Sequence, residues 1–338
     1  MSNKKELLIA GVYEKTAAYP NTKFRIEGFH SAPDLLVTEI NTSRQSLGYQ
    51  AVNTLHGRLS TAANIFISHL FLMIKFSKMQ SIKNLYVPYP GFFFCFLLSF
   101  IPKKRRPQRI ILDAFISLYD TVVLDRALVS ATGTIAKCIK FIEHKALKCA
   151  DIIVTDTVLN SQYLSQIYKL PIEKFIDIPL ATDEKAFKKI TYAPNKAGCN
   201  ILFIGTMVPL HGIKVILDAI DRMKDIAGIS FTIIGLGQEQ HYIEEYTNHH
   251  ENVISWIKNW QSSTQLYEHI KAADICLGIF DDGAKAQRVC PFKLYMYAAC
   301  GKPIVTAETD WTRHIHSKAD KEIFEVVNPG DSIDLAKK

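Results

Sequence analysis

Asn200-Ile-Leu-Phe-Ile-Gly205-Thr-Met-Val-Pro-Leu-His-Gly212-Ile-Lys-Val-Ile-Leu-Asp-Ala-Ile-Asp-Arg-Met-Lys224 passes from one periodicity into another. Asn200–Gly205 is a short apolar run ended by glycine, the pattern of a strand covered on both faces. From His211 onward the apolar residues fall at Ile213, Ile216, Ile220 and Met223, with Asp218, Asp221, Arg222 and Lys224 on the opposite side, which is helical spacing. A strand, a glycine-bearing turn and a helix make the first two thirds of a βαβ unit.

The alternation extends in both directions. Downstream, strands are expected at Ile229–Gly235, Val253–Trp256, Ile275–Phe280, Ile304–Thr306 and Ile323–Val327. Upstream they are expected at Leu7–Val12, Leu35–Ile40, Leu85–Pro88, Arg109–Asp113, Asp151–Thr155 and Phe175–Pro179, with helices at about 58–78, 91–101, 125–150 and 157–168. Strands alternating with helices predict parallel sheets. Residues 180 to 198 break the pattern with polar and turn-forming residues. We therefore expect an α/β protein of two doubly wound Rossmann-like domains, 1–182 and 199–338, joined by a linker at 183–198 and facing each other across a cleft. A length of 338 residues suits two domains.

The formal charge of +7 suits an acidic ligand or an anionic membrane surface but is low for a nucleic-acid binder. The seven cysteines are odd in number and lack C-x-x-C spacing, so we expect reduced thiols in a cytoplasmic protein. The N-terminal apolar run, Leu7–Val12, is too short for a signal peptide core. The longest, Gly91–Ile101, is about half a membrane span. It precedes the basic run Lys103-Lys-Arg-Arg106, a combination that suits peripheral contact with anionic headgroups.

Ligands of doubly wound sheets bind at the carboxyl ends of the strands. In the turn Gly205–Gly212, Gly205, Thr206, His211 and Gly212 precede a helix whose N-terminal N–H groups suit a phosphate. Gly235-Leu-Gly237-Gln-Glu-Gln240 lacks the third glycine of a dinucleotide fingerprint and reads as an ordinary strand-to-helix turn. The segment from Phe280 to Pro303 places Lys285, Arg288 and Lys293 before and inside the first turn of a helix that opens at Pro291 and ends near Gly301. Cations there oppose the helix dipole unless an anion such as a diphosphate is bound. Asp113 stands at a strand's carboxyl end, either as a cap or structural hydrogen-bonding group or directed at a substrate. No D-x-D pair and no His or Cys cluster has metal-ligand spacing.

Three stretches, Leu112–Arg126 with Ala150–Thr157, Ile204–Gly212 and Lys285–Pro303, resemble the family 4 glycosyltransferases, which have the B-type fold of two Rossmann-like domains. The resemblance implies retaining transfer of a sugar from a nucleotide-sugar to a glycan or lipid-linked glycan, with no cofactor and no obligatory metal. It implies Gly205, Thr206, His211, Gly212, Lys285, Arg288 and Lys293 around the donor diphosphate, and Gly235, Ile257 and Met296 on its nucleoside side. Asp113 would polarise the acceptor hydroxyl, with Ser117, Tyr119, Asp120, Asp125 and Arg126 shaping the acceptor side. Many relatives carry two glutamates eight positions apart around the donor helix; this chain has Arg288 and Met296 there. Two other readings stand beside the transferase: a nucleotide-sugar epimerase of the same fold, and a degenerate, non-catalytic partner subunit. Relatives of this kind work at the cytoplasmic face of a membrane, which is the location expected here.

Overall fold

The computed structural model describes residues 4–16, 19–43, 55–79, 81–191 and 198–338. The chain divides into two units, Met1–Pro179 and Leu180–Lys338. The segment read as a linker falls with the second unit as far as it is described: the Ile190 N–H donates to the Cys300 carbonyl at 3.0 Å, and Phe187 is buried. Residues 192–197 of that segment lie outside the described residues.

The first unit runs β1 (Lys5–Gly11), α1 (Pro20–Ser31), β2 (Leu35–Asn41), α2 (Leu55–Ser77), β3 (Asn84–Val87), α3 (Phe92–Leu98), β4 (Arg109–Asp113), α4 (Thr134–Cys149), β5 (Ile152–Thr155), α5 (Val158–Tyr168) and β6 (Phe175–Asp177). Its six strands are parallel, in the order β2-β1-β3-β4-β5-β6. Only the step from β1 to β2 runs in one direction along the sheet. Right-handed crossovers therefore put α1 on one face and α2 to α5 on the other. The cores agree, following the period-2 alternation of β1. Leu7 and Ile9 pack with Ile26 and Tyr86 on the α1 side, and Leu8 and Ala10 pack with Leu72, Phe76 and Phe92 on the other.

Two local expectations are corrected. The helix placed at 125–150 begins only at Thr134; ahead of it lies a π-helical turn, Asp120–Asp125. Ser130, Thr132 and Gly133 break the continuity, with Gly133 extended at the N-cap. Helix α1 was not anticipated, because the residues it buries are Asn21, Thr22 and Ile26 rather than an apolar stripe.

The second unit runs β7 (Cys199–Ile204), α6 (Ile213–Met223), β8 (Ile229–Ile234), α7 (Gln240–His249), β9 (Ile254–Ile257), α8 (Ser263–Ala272), β10 (Ile275–Leu277), α9 (Phe292–Cys300), β11 (Ile304–Ala307), α10 (Asp310–His316), β12 (Glu325–Val327) and α11 (Ser332–Lys337). The parallel order β12-β11-β10-β7-β8-β9 is that of dinucleotide-binding sheets. Ile213, Ile216, Leu217 and Ile220 bury the inner face of α6, and Leu335 of α11 joins the same core. Gly301, at φ 70°, ends α9. Pro291 is the N-cap of α9 rather than its first helical residue.

Candidate functional site

In the second unit the strand order reverses direction between β7 and β10. The crossovers from these neighbours diverge and leave a crevice at their carboxyl ends. The loops around it pack backbone to backbone. The Phe280 N–H donates to the His211 carbonyl (3.2 Å), and the Glu239 N–H to the Met207 carbonyl (2.8 Å). Gly212 has φ +65°, and a Cβ there would lie 2.7 Å from the Asp281 nitrogen. A Cβ on Gly205 would press on the His211 ring; one on Gly235 would collide with the Gly205 carbonyl, and one on Gly237 with the Thr206 carbonyl. The Gly235–Gly237 turn, read as ordinary, is thus required by close approach to the loop after β7.

The helix starts around this crevice share a second property. No side chain caps α6, α7 or α9, the helices that follow β7, β8 and β10. The other three helices of the unit are capped: α8 by Ser262, α10 by Thr309 and α11 by Asp331. An uncapped helix start presents backbone N–H groups and a partial positive charge to an anion.

Gly205, Thr206, His211, Gly212, Lys285 and Arg288 all lie on the loops after β7 and β10. Thr206 is exposed, and His211 is buried with its ring edge-on to Phe203. Lys285 and Arg288 sit half-buried in the turn 284–288, where the Arg288 guanidinium donates to the Ala284 carbonyl at 2.7 Å. Lys293 departs from the expected cluster of three cations. It is buried, donates from Nζ to the Gly278 carbonyl (3.1 Å) and lies 3.7 Å from the centre of the Phe203 ring. Burial holds its pKa well below the ordinary lysine value. Its Nζ thus supports the loop floor through the Gly278 carbonyl instead of facing solvent. Gly235 and Ile257 meet at the ends of β8 and β9, where the Gly235 N–H donates to the Ile257 carbonyl (2.9 Å). Met296 is buried on α9.

In the first unit Asp113 ends β4 and is fully buried. Its Oδ1 lies 2.6 Å from Nη1 of Arg25 and accepts the Phe115 N–H (3.3 Å), while Oδ2 accepts the Tyr86 hydroxyl (2.8 Å). Arg25 also donates to the Ile178 carbonyl (3.0 Å), tying α1 to the segment after β6. Burial alone would lower the Arg25 pKa, but Asp113 and Tyr86 outweigh it and raise the value. The carboxylate expected to polarise an acceptor hydroxyl is instead enclosed in an ion-pair network. Sequence reading missed Arg25 because its partner is far along the chain and α1 has no strong periodicity.

The loop after β4 is held from within. The Ser117 hydroxyl accepts the Asp120 N–H (3.1 Å), and the Tyr163 hydroxyl donates to buried Asp120 (3.3 Å). Fully buried Glu143 accepts the Tyr119 N–H (2.6 Å), and burial pushes its pKa up to about 7. Lys140 lies over the Tyr119 ring. Asp125 closes the π-helical turn, and Arg126 follows it; burial raises the pKa values of Tyr19 and Tyr89, and nearby Arg126 partly offsets that rise. Tyr89 in turn packs edge-on against Phe115 (4.6 Å between centroids). Tyr19, Tyr89 and Phe115 are further residues of this end of the sheet that the sequence did not single out. At the end of β5, Asp156 is raised by burial to about 6 and accepts from Asn160 at 2.6 Å.

Residues 198–338 match the family model described as glycosyl transferases group 1. No curated protein matches the chain. Among solved structures, Anabaena Alr3699/HepE in complex with UDP-glucose is similar at 14% identity and a TM-score of 0.65, covering 98% of this chain and 88% of that one. The apo lipopolysaccharide outer core galactosyltransferase WaaB is similar at 14% identity and a TM-score of 0.62, covering 98% and 88%. An E. coli structure described as trehalose-6-phosphate, bound with UDP-2-fluoro glucose, is similar at 12% identity and a TM-score of 0.62, covering 98% and 90%. Residues 198–338 are thus similar to the glycosyl transferases group 1, in a chain whose fold is that of the two-domain B-type glycosyltransferases.

Proposed function

We propose that the chain moves a sugar from a nucleotide-sugar, held by the second unit, to a glycan or lipid-linked glycan, held by the first, with retention and without an obligatory metal. The observation that carries this reading is the set of three uncapped helix starts around the β7–β10 crevice, in a unit whose other helices are capped. Sugar transfer requires charge to develop on a leaving diphosphate, and fixed N–H groups stabilise it without reorganisation. Lys285 and Arg288, on the same loops, add full charges, and charged hydrogen bonds are the stronger kind. Solved proteins of this fold hold UDP-glucose and UDP-2-fluoro glucose, which supports a nucleotide-sugar as the ligand class. In this reading Asp113, held by Arg25, Tyr86 and the Phe115 N–H, has a structural place rather than a catalytic one.

The test is a thermal-shift panel of nucleotides and nucleotide-sugars, since a ligand of the folded state raises apparent stability by mass action. Donor consumption is then measured with and without glycan acceptors. Acceptor-dependent release of nucleoside diphosphate supports transfer, and release to water without acceptor, with the epimeric free sugar as the second product, points to a hydrolysing epimerase. A second reading is favoured by Met296, an apolar buried residue where relatives carry a glutamate: a binding subunit without turnover. Stabilisation by nucleotide-sugar with no consumption under any acceptor would establish that reading.

A further inference from the structure

We propose that the outer surface of α2, α3 and α4 is a docking face for an anionic lipid bilayer. This goes beyond the transferase reading and does not depend on it. Three observations meet on that surface. The first is charge. Between Ile40 and Leu112 the sequence has ten Lys and Arg and no Asp or Glu, so the remaining thirty basic residues are outnumbered by the thirty-three acidic ones and this stretch is locally basic. Lys75, Lys78, Lys103, Lys104 and Arg105 are exposed. On α4 the lysines at 137, 145 and 148 are exposed, while the helix's single carboxylate, Glu143, is fully buried.

The second is apolar exposure beside those charges. Helix α2 buries Leu72 and Phe76 against the sheet, yet its outer side shows Phe66 at 63%, Leu70 at 53% and Ile74 at 46% exposure. These positions are four residues apart and form one stripe. Phe93 of α3 packs on His69 of α2, Phe96 packs on Phe100 and Phe141, and Phe100 and Phe141 are exposed in turn. A helix apolar on both sides is buried in a core or lies against a membrane, and among the described residues none is long and apolar enough to cross one.

The third is a groove of about 380 Å³ beside Phe141, lined by Lys137, Lys140, His144, Tyr168 and Lys169. Its chemistry, an apolar floor with ammonium groups around it, fits a lipid headgroup phosphate above its first methylenes. Charge complementarity selects the occupant. An isologous dimer through this face would set its basic residues against their own copies, whereas acidic headgroups neutralise them while the aromatic and aliphatic side chains enter the interface.

The test is sedimentation of the full chain with vesicles of phosphatidylcholine alone or mixed with phosphatidylglycerol, at low and high salt. Two variants are compared: Phe66→Ser with Leu70→Ser, and Lys103→Gln with Lys104→Gln and Arg105→Gln. All five residues are exposed, and an unchanged circular dichroism spectrum and urea midpoint followed by circular dichroism check the fold of the first unit. The wild type should sediment with the anionic vesicles at low salt, stay in solution with neutral ones, and be released by salt. Loss of three basic residues should weaken partitioning roughly a hundredfold, and loss of the two apolar ones at least about tenfold. Failure of the wild type to bind anionic vesicles, equal binding to both vesicle types, or wild-type binding by both variants would each overturn the proposal. So would a dimer in analytical ultracentrifugation that Phe66→Ser with Leu70→Ser disperses, which would identify a second copy as the occupant.

Discussion

Asp113→Ala tests whether the carboxylate at the end of β4 is structural. Its two oxygens receive the Arg25 guanidinium, the Tyr86 hydroxyl and the Phe115 N–H, with no exposed surface. Removing one partner of a buried ion pair leaves the other charge uncompensated, at about 3–5 kcal/mol. Asp113→Asn keeps the shape but turns an amide toward a guanidinium, so it should cost nearly as much. Replacing both partners, with Arg25→Met and Asp113→Leu, should fall closer to the wild type than either single change. The placement of tryptophan makes the assay specific: Trp256, Trp260 and Trp311 all lie in the second unit. In urea, circular dichroism follows both units and tryptophan fluorescence follows only the second. At about 1–3 kcal/mol per molar, Asp113→Ala should move the first unit's midpoint down by roughly 1–5 M and leave the fluorescence midpoint in place. If Asp113→Asn keeps the wild-type midpoint within about 0.5 kcal/mol while turnover is lost, the structural argument is wrong and the residue acts on substrate.

Lys293→Met tests the buried amino group beneath the loops after β7 and β10. Because burial lowers its folded pKa, the unfolded chain binds more protons between that lowered value and about 10.4, so wild-type stability should rise with pH through that window. The variant should lose this rise in fluorescence-detected unfolding, and parallel pH profiles would sink the argument. Glu143 has the opposite sign: its folded pKa of about 7, against an ordinary 4.5, makes the folded chain bind more protons, so stability should fall as pH rises from about 4.5 to 7 and then level off. Glu143→Gln should flatten that fall, worth about 3 kcal/mol, in the transition seen by circular dichroism. Arg288→Ala should weaken nucleoside diphosphate binding by about 1.5–3 kcal/mol and nucleoside binding little, read by titration calorimetry with both ligands. Gly212→Ala forces a Cβ toward the Asp281 nitrogen at positive φ; a loss of about 1 kcal/mol or more in stability, with weaker diphosphate binding, is expected in thermal shift.

The strands were legible because parallel strands covered on both faces read as unbroken apolar runs, and all twelve expected strands find a partner in the two sheets. What escaped reading depends on groups distant in sequence. Asp113 at a strand's carboxyl end looks the same whether it faces substrate or a buried arginine, and only the fold brings Arg25 to it. Lys293 in the first turn of a helix looks like a surface cation, yet its four-carbon stem carries Nζ to the Gly278 carbonyl beneath the loop. Gly237 seemed dispensable once Gln240 broke the fingerprint spacing, because its need for a bare Cα comes from the Thr206 carbonyl on another loop.

The helix starts follow a different logic, because capping is local. Ser262 with Gln265 forms a reciprocal capping box, and Thr309 with Thr312 another, and both pairs are visible as a short polar residue followed three positions later by a second one. At Gly212 and Pro291 the corresponding residue has no side-chain acceptor to offer. A helix whose own sequence declines to satisfy its first N–H groups leaves them to water or to a ligand. Uncapped starts by themselves say little, since water can serve any of them. Their restriction to the loops after β7, β8 and β10, where the strand order reverses and glycines hold the backbones together, is what separates a ligand site from an exposed turn. Had α8 or α10 been uncapped as well, the pattern would not single out these loops for the proposed anion.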